Sequence, residues 1–227
     1  MIIRSITVGH KTTYNKNNGY LFYFHLLFSF SIFFKQRSQT LVNLKHHKSE
    51  AVRLAVVLAL RKQESDLVAT FLNDDHQQIA SEAAMAIHDV PIHSALDVLA
   101  SSLLQATEYA WQRRALSACE RLGKNEYLEA VIAFAGDTNK SDRMRSIALN
   151  ILNTWDAPPN REIVNGTWCP AKRTRSRSIE SIKHSLDQLI EASDGSVLLE
   201  VLQVAQSHSI PLPSQLSLSL IHISEPT

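Results

Sequence analysis

Along the middle of the chain, apolar residues recur at helical spacing. Val52, Ala55, Val56, Ala59 and Leu60 fall at i, i+3, i+4, i+7 and i+8, the stripe of an amphipathic helix. Leu54, Val57 and Leu58 make its other side apolar too, so this helix is expected to pack on both faces. Three later stretches echo it. Val52–Leu60 (VRLAVVLAL) aligns without gaps on Ile79–Ile87 (IASEAAMAI), Trp111–Cys119 (WQRRALSAC) and Met144–Leu152 (MRSIALNIL). Their first residues lie 27, 32 and 33 positions apart, and a small or apolar residue recurs at Ala59, Ala86, Ala118 and Ile151. Repetition at this period is the signature of stacked helical hairpins.

Shorter amphipathic segments alternate with the long ones: Asp66–Leu72, Ile92–Leu104 and Glu126–Ala135. Ser49 is the expected N-cap of the first long helix, Asp74 or Asp75 of the second and Ser141 of the fourth, while Gly123 stands where a C-cap glycine belongs. No stretch alternates at period two for long enough to require a strand. The repeats stop at Trp155. Asp156–Ser178 (DAPPNREIVNGTWCPAKRTRSRS) carries three prolines and a glycine and reads as a loop; Ser181–Ala192 and Ser196–Gln206 then resume helical periodicity. The expected fold is all-α. It is a solenoid of about four to five helical hairpins, with repeats over residues 41–155, a Pro/Trp loop over 156–178 and a final hairpin over 179–210.

Stacking in this register makes equivalent positions neighbours, so Glu82 and Arg114, 32 residues apart, are predicted to form an ion pair between adjacent repeats. Arg53 and Arg145 share one site in the first and fourth copies and are expected to bond helix-end carbonyls or turn acids of the next hairpin. With Asp89, these four are the structural candidates on the helices. Trp155, Arg161, Gly166 and Trp168 are those of the loop. Trp111 is expected at a hairpin interface, and Trp168 is expected to fold the loop back onto the final repeat near Trp155.

Both ends differ from the body. Residues 1–40 contain no Ala, Asp, Glu or Pro, and six of the eight Phe fall between Phe22 and Phe34. Tyr20–Phe34 is a 15-residue apolar run behind Arg4, Lys11 and Lys16. It is shorter than the ~20 residues of a membrane helix and closer to the h-region of an export signal. His25 interrupts it, and no small-x-small cleavage site follows. Translated AT-rich non-coding DNA would have the same Asn, Lys, Tyr, Phe and Ile bias. The segment is expected to be such an artefact or a signal anchor, and a membrane enters only in the second case. Leu218–Thr227 (LSLIHISEPT) looks like a translated sequencing adapter, so residues 211–227 are set aside as a tail, adapter-derived from about 218.

Composition narrows the function classes. With 227 residues, 44% apolar and 20% charged, the chain is ordinary for a globular protein, and a net charge of +1 gives no global pull towards nucleic acid or anionic lipid. Cys119 and Cys169 are too few for a disulfide framework and are expected to be free thiols. Of the ten His, His46–His47 and the pair His88 and His93 invite a metal. Zinc wants about four convergent ligands, and a five-residue gap across Pro91 does not put two imidazoles on one helical face. These are expected to be surface histidines. Lys172, Arg173, Arg175 and Arg177 form a basic run without interleaved aromatics, read as a solvated loop. No G-x-S-x-G, P-loop, H-E-x-x-H or dinucleotide fingerprint occurs.

Three segments together carry a resemblance: Glu82–Ile92 (EAAMAIHDVPI), Trp111–Gly123 (WQRRALSACERLG) and Arg145–Pro170. They resemble the HEAT-repeat region of the large PVC-type haem-binding proteins, often labelled membrane-bound dehydrogenases. The most specific part is W-x-x-P-P-x-R-(D/E)-x-V-x-G-x-W-x-P, matched by Trp155, Pro158, Pro159, Arg161, Glu162, Val164, Gly166, Trp168 and Pro170. His88 stands where that family commonly has Asn, and Met85 and Cys169 stand where basic residues are usual; all three are read as surface changes. The resemblance implies a HEAT-like scaffold, non-catalytic in this segment, in an exported protein of the periplasm or cell envelope. It would space a propeller dehydrogenase-like domain from a c-type cytochrome. Haem c is expected only in the cytochrome part, since no C-x-x-C-H occurs in this chain. The expected partners are protein domains, with no nucleic acid, small-molecule substrate or metal. The alternative is a stand-alone HEAT-like protein-binding adaptor; the third reading is a HEAT-like lyase or DNA glycosylase.

Overall fold

A computed structural model describes residues 38–90, 92–170 and 179–212. The apolar run at 20–34, the basic run at 172–177 and the adapter-like tail lie outside them. The described chain is all-α. Its helices are α1 (Glu50–Lys62), α2 (Gln77–Asp89), α3 (Leu96–Ser101), α4 (Tyr109–Leu122), α5 (Asn125–Gly136), α6 (Asp142–Asn153), α7 (Ile179–Glu191) and α8 (Gly195–Ser207). The four echoing stretches fall inside α1, α2, α4 and α6.

These elements pack as two rows. In one row α1, α2, α4, α6 and α8 lie successively side by side; in the other stand a 3-10 helix (Asp66–Asn73), α3, α5 and α7. Each element thus touches its partner in the opposite row and its neighbour along its own. The core is the seam between the rows. Helix α2 is closed in on both sides by α1 and α4, and buries Ile79, Ala80, Ala83, Ala84, Ala86 and Ile87. Its alanines cost no side-chain entropy and allow close approach of the neighbouring helices. Further along, Leu116, Phe134, Leu149 and Trp155 are fully buried. Burying side chains of this size contributes roughly 1.5–3 kcal/mol each.

Several sequence expectations need correction. Helix α1 buries Val56, Val57 and Leu60 and packs Leu54 partly against the core but leaves Leu58 47% exposed, so its second face is only partly packed among the described residues. The N-cap position of α2 is His76, not Asp74 or Asp75. Asp74 acts two residues earlier, its Oδ1 accepting the His76 N–H at 2.9 Å. The segment around Asp66–Leu72 winds as a 3-10 helix, and Ile92–Leu104 breaks into two short 3-10 turns around α3. Ser49 and Ser141 occupy N-cap positions, though neither side chain caps its helix.

Gly123 ends α4 at φ 60°, ψ 28°, with its N–H bonded to the Cys119 carbonyl at 2.9 Å. That left-handed geometry penalises a Cβ. Gly123→Ala is expected to lower stability by about 1 kcal/mol, read as a fall in the urea midpoint at unchanged slope.

Candidate functional site

One position of the repeated helix recurs as a latch. The second residue of each echoing stretch is Arg53, Ala80, Gln112 or Arg145. The Arg53 guanidinium grips Asp74 with two bonds of 2.8 and 2.9 Å and donates to the His47 carbonyl at 2.9 Å. Buried Gln112 donates to the carbonyls of Ala106 and Thr107 at 3.1 and 3.0 Å. Arg145, only 4% exposed, donates to the Ala135 carbonyl at the end of α5. It also reaches the Ala192 carbonyl and Ser193 Oγ beyond α7, at 2.7 and 2.8 Å. Helix-end carbonyls have no intrahelical partner, so a long donor placed there satisfies them and ties successive turns together. Ala80 is too short to do this. The Gln112 latch was missed in the sequence because Gln and Arg differ in charge while sharing the donor that matters.

The Glu82–Arg114 pair does not form. Arg114 instead clamps Asp89, its Nε and a terminal nitrogen donating at 3.0 and 2.7 Å, while another nitrogen takes the Ala110 carbonyl. No ion pair among the described residues involves Glu82. Contacts across the α2–α4 seam join His88 to Ser117 and Asp89 to Arg114, at sequence offsets of 29 and 25, short of the 32 of the repeat alignment. Equivalence within the repeat does not place two residues opposite each other.

The densest polar cluster lies under the loop that follows α6. That loop is a small hairpin. Arg161 and Trp168 form an antiparallel bridge, Glu162 N donates to Thr167 O at 3.0 Å, and Cys169 N to Asn160 O at 2.7 Å. Gly166 turns it at φ +71°, and Arg161 donates to the Gly166 carbonyl at 2.9 Å. The hairpin drives Glu162 inward until its side chain is 1% exposed. Glu162 Oε2 accepts the Val164 N–H at 2.8 Å, and Oε1 accepts that of Asn165. Beneath it stands His88, which is 2% exposed: Nε2 lies 3.0 Å from Ser117 Oγ and 3.3 Å from Glu162 Oε2, and Nδ1 lies 2.9 Å from Asp89 Oδ1. The Ser117 hydroxyl is 3.1 Å from Glu162 Oε2, and Arg121 approaches the same oxygen at 3.6 Å.

His88 is therefore a core residue, contrary to the expectation of a surface histidine. His208 is buried as well, its Nε2 against the Leu152 carbonyl at 2.8 Å, whereas His46, His47 and His93 are exposed. Trp168 also departs from expectation. It is 62% exposed, so it does not fold the loop onto Trp155; that anchoring falls to Glu162 and to Ile163, which packs against the core and whose carbonyl accepts from Arg113 at 2.5 Å, while Trp155 is fully buried. Trp111 is buried between α3 and α4, its indole N–H donating to Ser102 Oγ at 2.9 Å.

Charge in the cluster is balanced. Burial, then the Arg121 charge, pushes the His88 imidazole below its ordinary value, against the pull of Asp89 and Glu162. Burial pushes the Asp89 carboxyl up, but the Arg114 and His88 bonds outweigh it and hold it below the ordinary value. Burial likewise opposes the Val164 and Asn165 N–H groups at Glu162, and again the bonds win. At Asp74, burial is outweighed by Arg53 and the His76 N–H. A carboxylate whose folded pKa lies below its unfolded one stabilises the fold fully above the unfolded value and loses that contribution as pH falls through the folded value. These carboxylates should therefore leave the urea midpoint level above about pH 5 and lower it steeply below pH 4. Asp89→Asn should flatten part of that drop; an unchanged acid limb would show that the Arg114 clamp contributes nothing.

The order Ser117–His88–Asp89 has the connectivity of a hydrolase triad. In this conformation the hydroxyl is fully buried in mid-helix and Glu162 sits over it, so no substrate reaches it. Haem attachment does not fit either: Cys119 is fully buried, it and Cys169 are the chain's two cysteines and stand far from the C-x-x-C spacing, and neither is followed by His, so they form no C-x-x-C-H. Among the described residues no group of three His, Cys, Asp or Glu could hold a metal ion, and no helix is long and apolar enough to cross a membrane. No protein-family model matches the chain, and no curated protein matches it significantly.

Proposed function

We propose that the chain is a HEAT-like α-solenoid segment serving as a scaffold within a larger exported redox protein, holding a propeller dehydrogenase-like domain at a set distance from a c-type cytochrome domain. The observation that carries the scaffold reading is the recurring latch: Arg53, Gln112 and Arg145, at one repeat position, each fasten turn carbonyls or a turn acid. Such ties stiffen a stack of hairpins whose units otherwise contact only their neighbours. The redox context rests on the resemblance of the Trp155–Pro170 motif. In that setting haem would be held by the cytochrome domain and not by residues of this chain.

A second reading, a stand-alone protein-binding adaptor, draws on exposed aromatics. Trp168 stands out from the hairpin, and the 39% exposed Tyr109 ring has the guanidiniums of Arg113 and Arg143 at 5.6 and 4.8 Å from its centre. Exposed Trp, Tyr and Arg are the residues over-represented where proteins bind one another. Sequencing the source locus across both ends decides between the two. An in-frame propeller upstream with C-x-x-C-H downstream is the expected result. A start codon near residue 40 with a stop just after Ile210 would overturn the redox scaffold and favour the adaptor.

A further inference from the structure

We propose, on the reading of this chain as a protein-binding scaffold or adaptor, that the groove between α4 and α6 docks an extended segment of a protein partner. That segment carries one acidic residue with apolar residues at alternate positions beyond it. The groove, about 300 Å³, is lined by Arg113, Ile147, Ile151, Pro159 and Ile163, among others. Such a volume is at the lower limit for small-molecule pockets and suits a few side chains better than a whole cofactor.

One end of the groove is cationic. Beyond Arg113, the Tyr109 ring and Arg143 extend it towards the first turns of α4 and α6, with both guanidiniums against that ring. Arg53, Arg114, Arg121 and Arg145 each have a carboxylate within 4.0 Å, whereas among the described residues Arg113 and Arg143 have none. Glu108 and Asp142, next to Tyr109 and Arg143 in the chain, pair with neither guanidinium. Arg113 spends one nitrogen on the Ile163 carbonyl, and exposed Arg143 makes no hydrogen bond among the described residues. Guanidiniums with unspent donors form a fork for a carboxylate, and the first turns of two helices favour an anion at the same end. Glu120 also lines the groove, two turns beyond Arg113 and 4% exposed, so the partner's acid belongs at the Arg143 end.

Helix spacing sets the pattern of the partner. Arg143, Ile147 and Ile151 follow at i, i+4 and i+8 on α6, each about 6 Å from the next along an axis that rises ~1.5 Å per residue. An extended chain rises ~3.3 Å per residue, so its alternate side chains share one face about 6.6 Å apart. An acid-x-apolar-x-apolar segment laid along α6, in either chain direction, thus meets Arg143, Ile147 and Ile151 in turn.

The test is fluorescence anisotropy of labelled, end-capped peptides with the full chain: GSESLSLSG, its reverse GSLSLSESG, the amide GSQSLSLSG, and GSESSLLSG, in which the alternation is broken. One of the two acidic alternating peptides should bind saturably at sub-millimolar concentration. The amide exchange, and Arg143→Glu in the protein, should each weaken that binding by about tenfold, and the broken alternation by several-fold. Arg143 is exposed at a helix start, where Glu suits the dipole, so circular dichroism of the variant should match wild type. No binding by either acidic alternating peptide, or equal binding by the amide or by the broken pattern, would overturn the site. Binding that survives Arg143→Glu would overturn it too while leaving protein binding standing, and the sequence of the locus decides the adaptor reading separately.

Discussion

Trp155→Ala is expected to lower stability by about 3–5 kcal/mol, while Trp168→Ala should remain within about 0.5 kcal/mol of wild type. Both tryptophans belong to one motif, and in sequence they look interchangeable as anchors. The structure separates them. Trp155 is fully buried where α6 gives way to the loop, and it belongs to the continuous core shared with α8. Removing an indole there forfeits the transfer free energy of the ring and leaves a cavity. The core around it is continuous and closely packed, so its neighbours relax only in part into that space. Trp168 sits on the returning arm of the hairpin and is 62% exposed. Urea denaturation followed by circular dichroism would check both variants. Equal losses would mean that the hairpin packs against the body in solution through Trp168.

The difference shows what the sequence could carry. Helix positions followed from period: the four echoing stretches are four of the five helices of one row, because an apolar stripe can be buried only by lying against another element. The histidine cluster was legible in part. His88 lies one helical turn after Ala84, on the buried stripe that runs through Ile79, Ala80, Ala83 and Ile87, so its burial could have been read from α2 alone. Its partners could not. Ser117 meets it, and Arg114 meets the adjacent Asp89, at offsets set by how α4 lies along α2 rather than by repeat equivalence. Glu162 reaches the ring from a loop whose path is fixed by Gly166 at positive φ and by backbone bonds between Asn160 and Cys169. A motif marks such residues as belonging together without saying which of them turns inward. The exposed Trp168 and the buried Glu162 reverse what residue type alone suggests, since a carboxylate is seldom buried unless several donors await it.

Arg145→Leu is expected to cost about 2–4 kcal/mol and to loosen the last hairpin more than the rest of the chain. The leucine keeps most of the buried aliphatic volume, so the loss isolates the guanidinium. That group bridges the end of α5 to the turn after α7, holding Ala135 O on one side and Ala192 O with Ser193 Oγ on the other. Without it, the Ala135 carbonyl stays buried without its charged donor, and the turn after α7 loses two bonds to the body. Packing of α6 on α8 and of α5 on α7 remains, which is why partial detachment rather than unfolding is expected. Hydrogen exchange would show the split. Amides of α7 and α8 should exchange many times faster in the variant, and those of α2 and α4 much less so. Arg53→Leu provides the comparison, because its bonds to Asp74 and His47 lie at the other end of the same row. If the two variants loosened the same residues, the latches would act on global stability, and the scaffold reading would lose the local stiffening on which it rests.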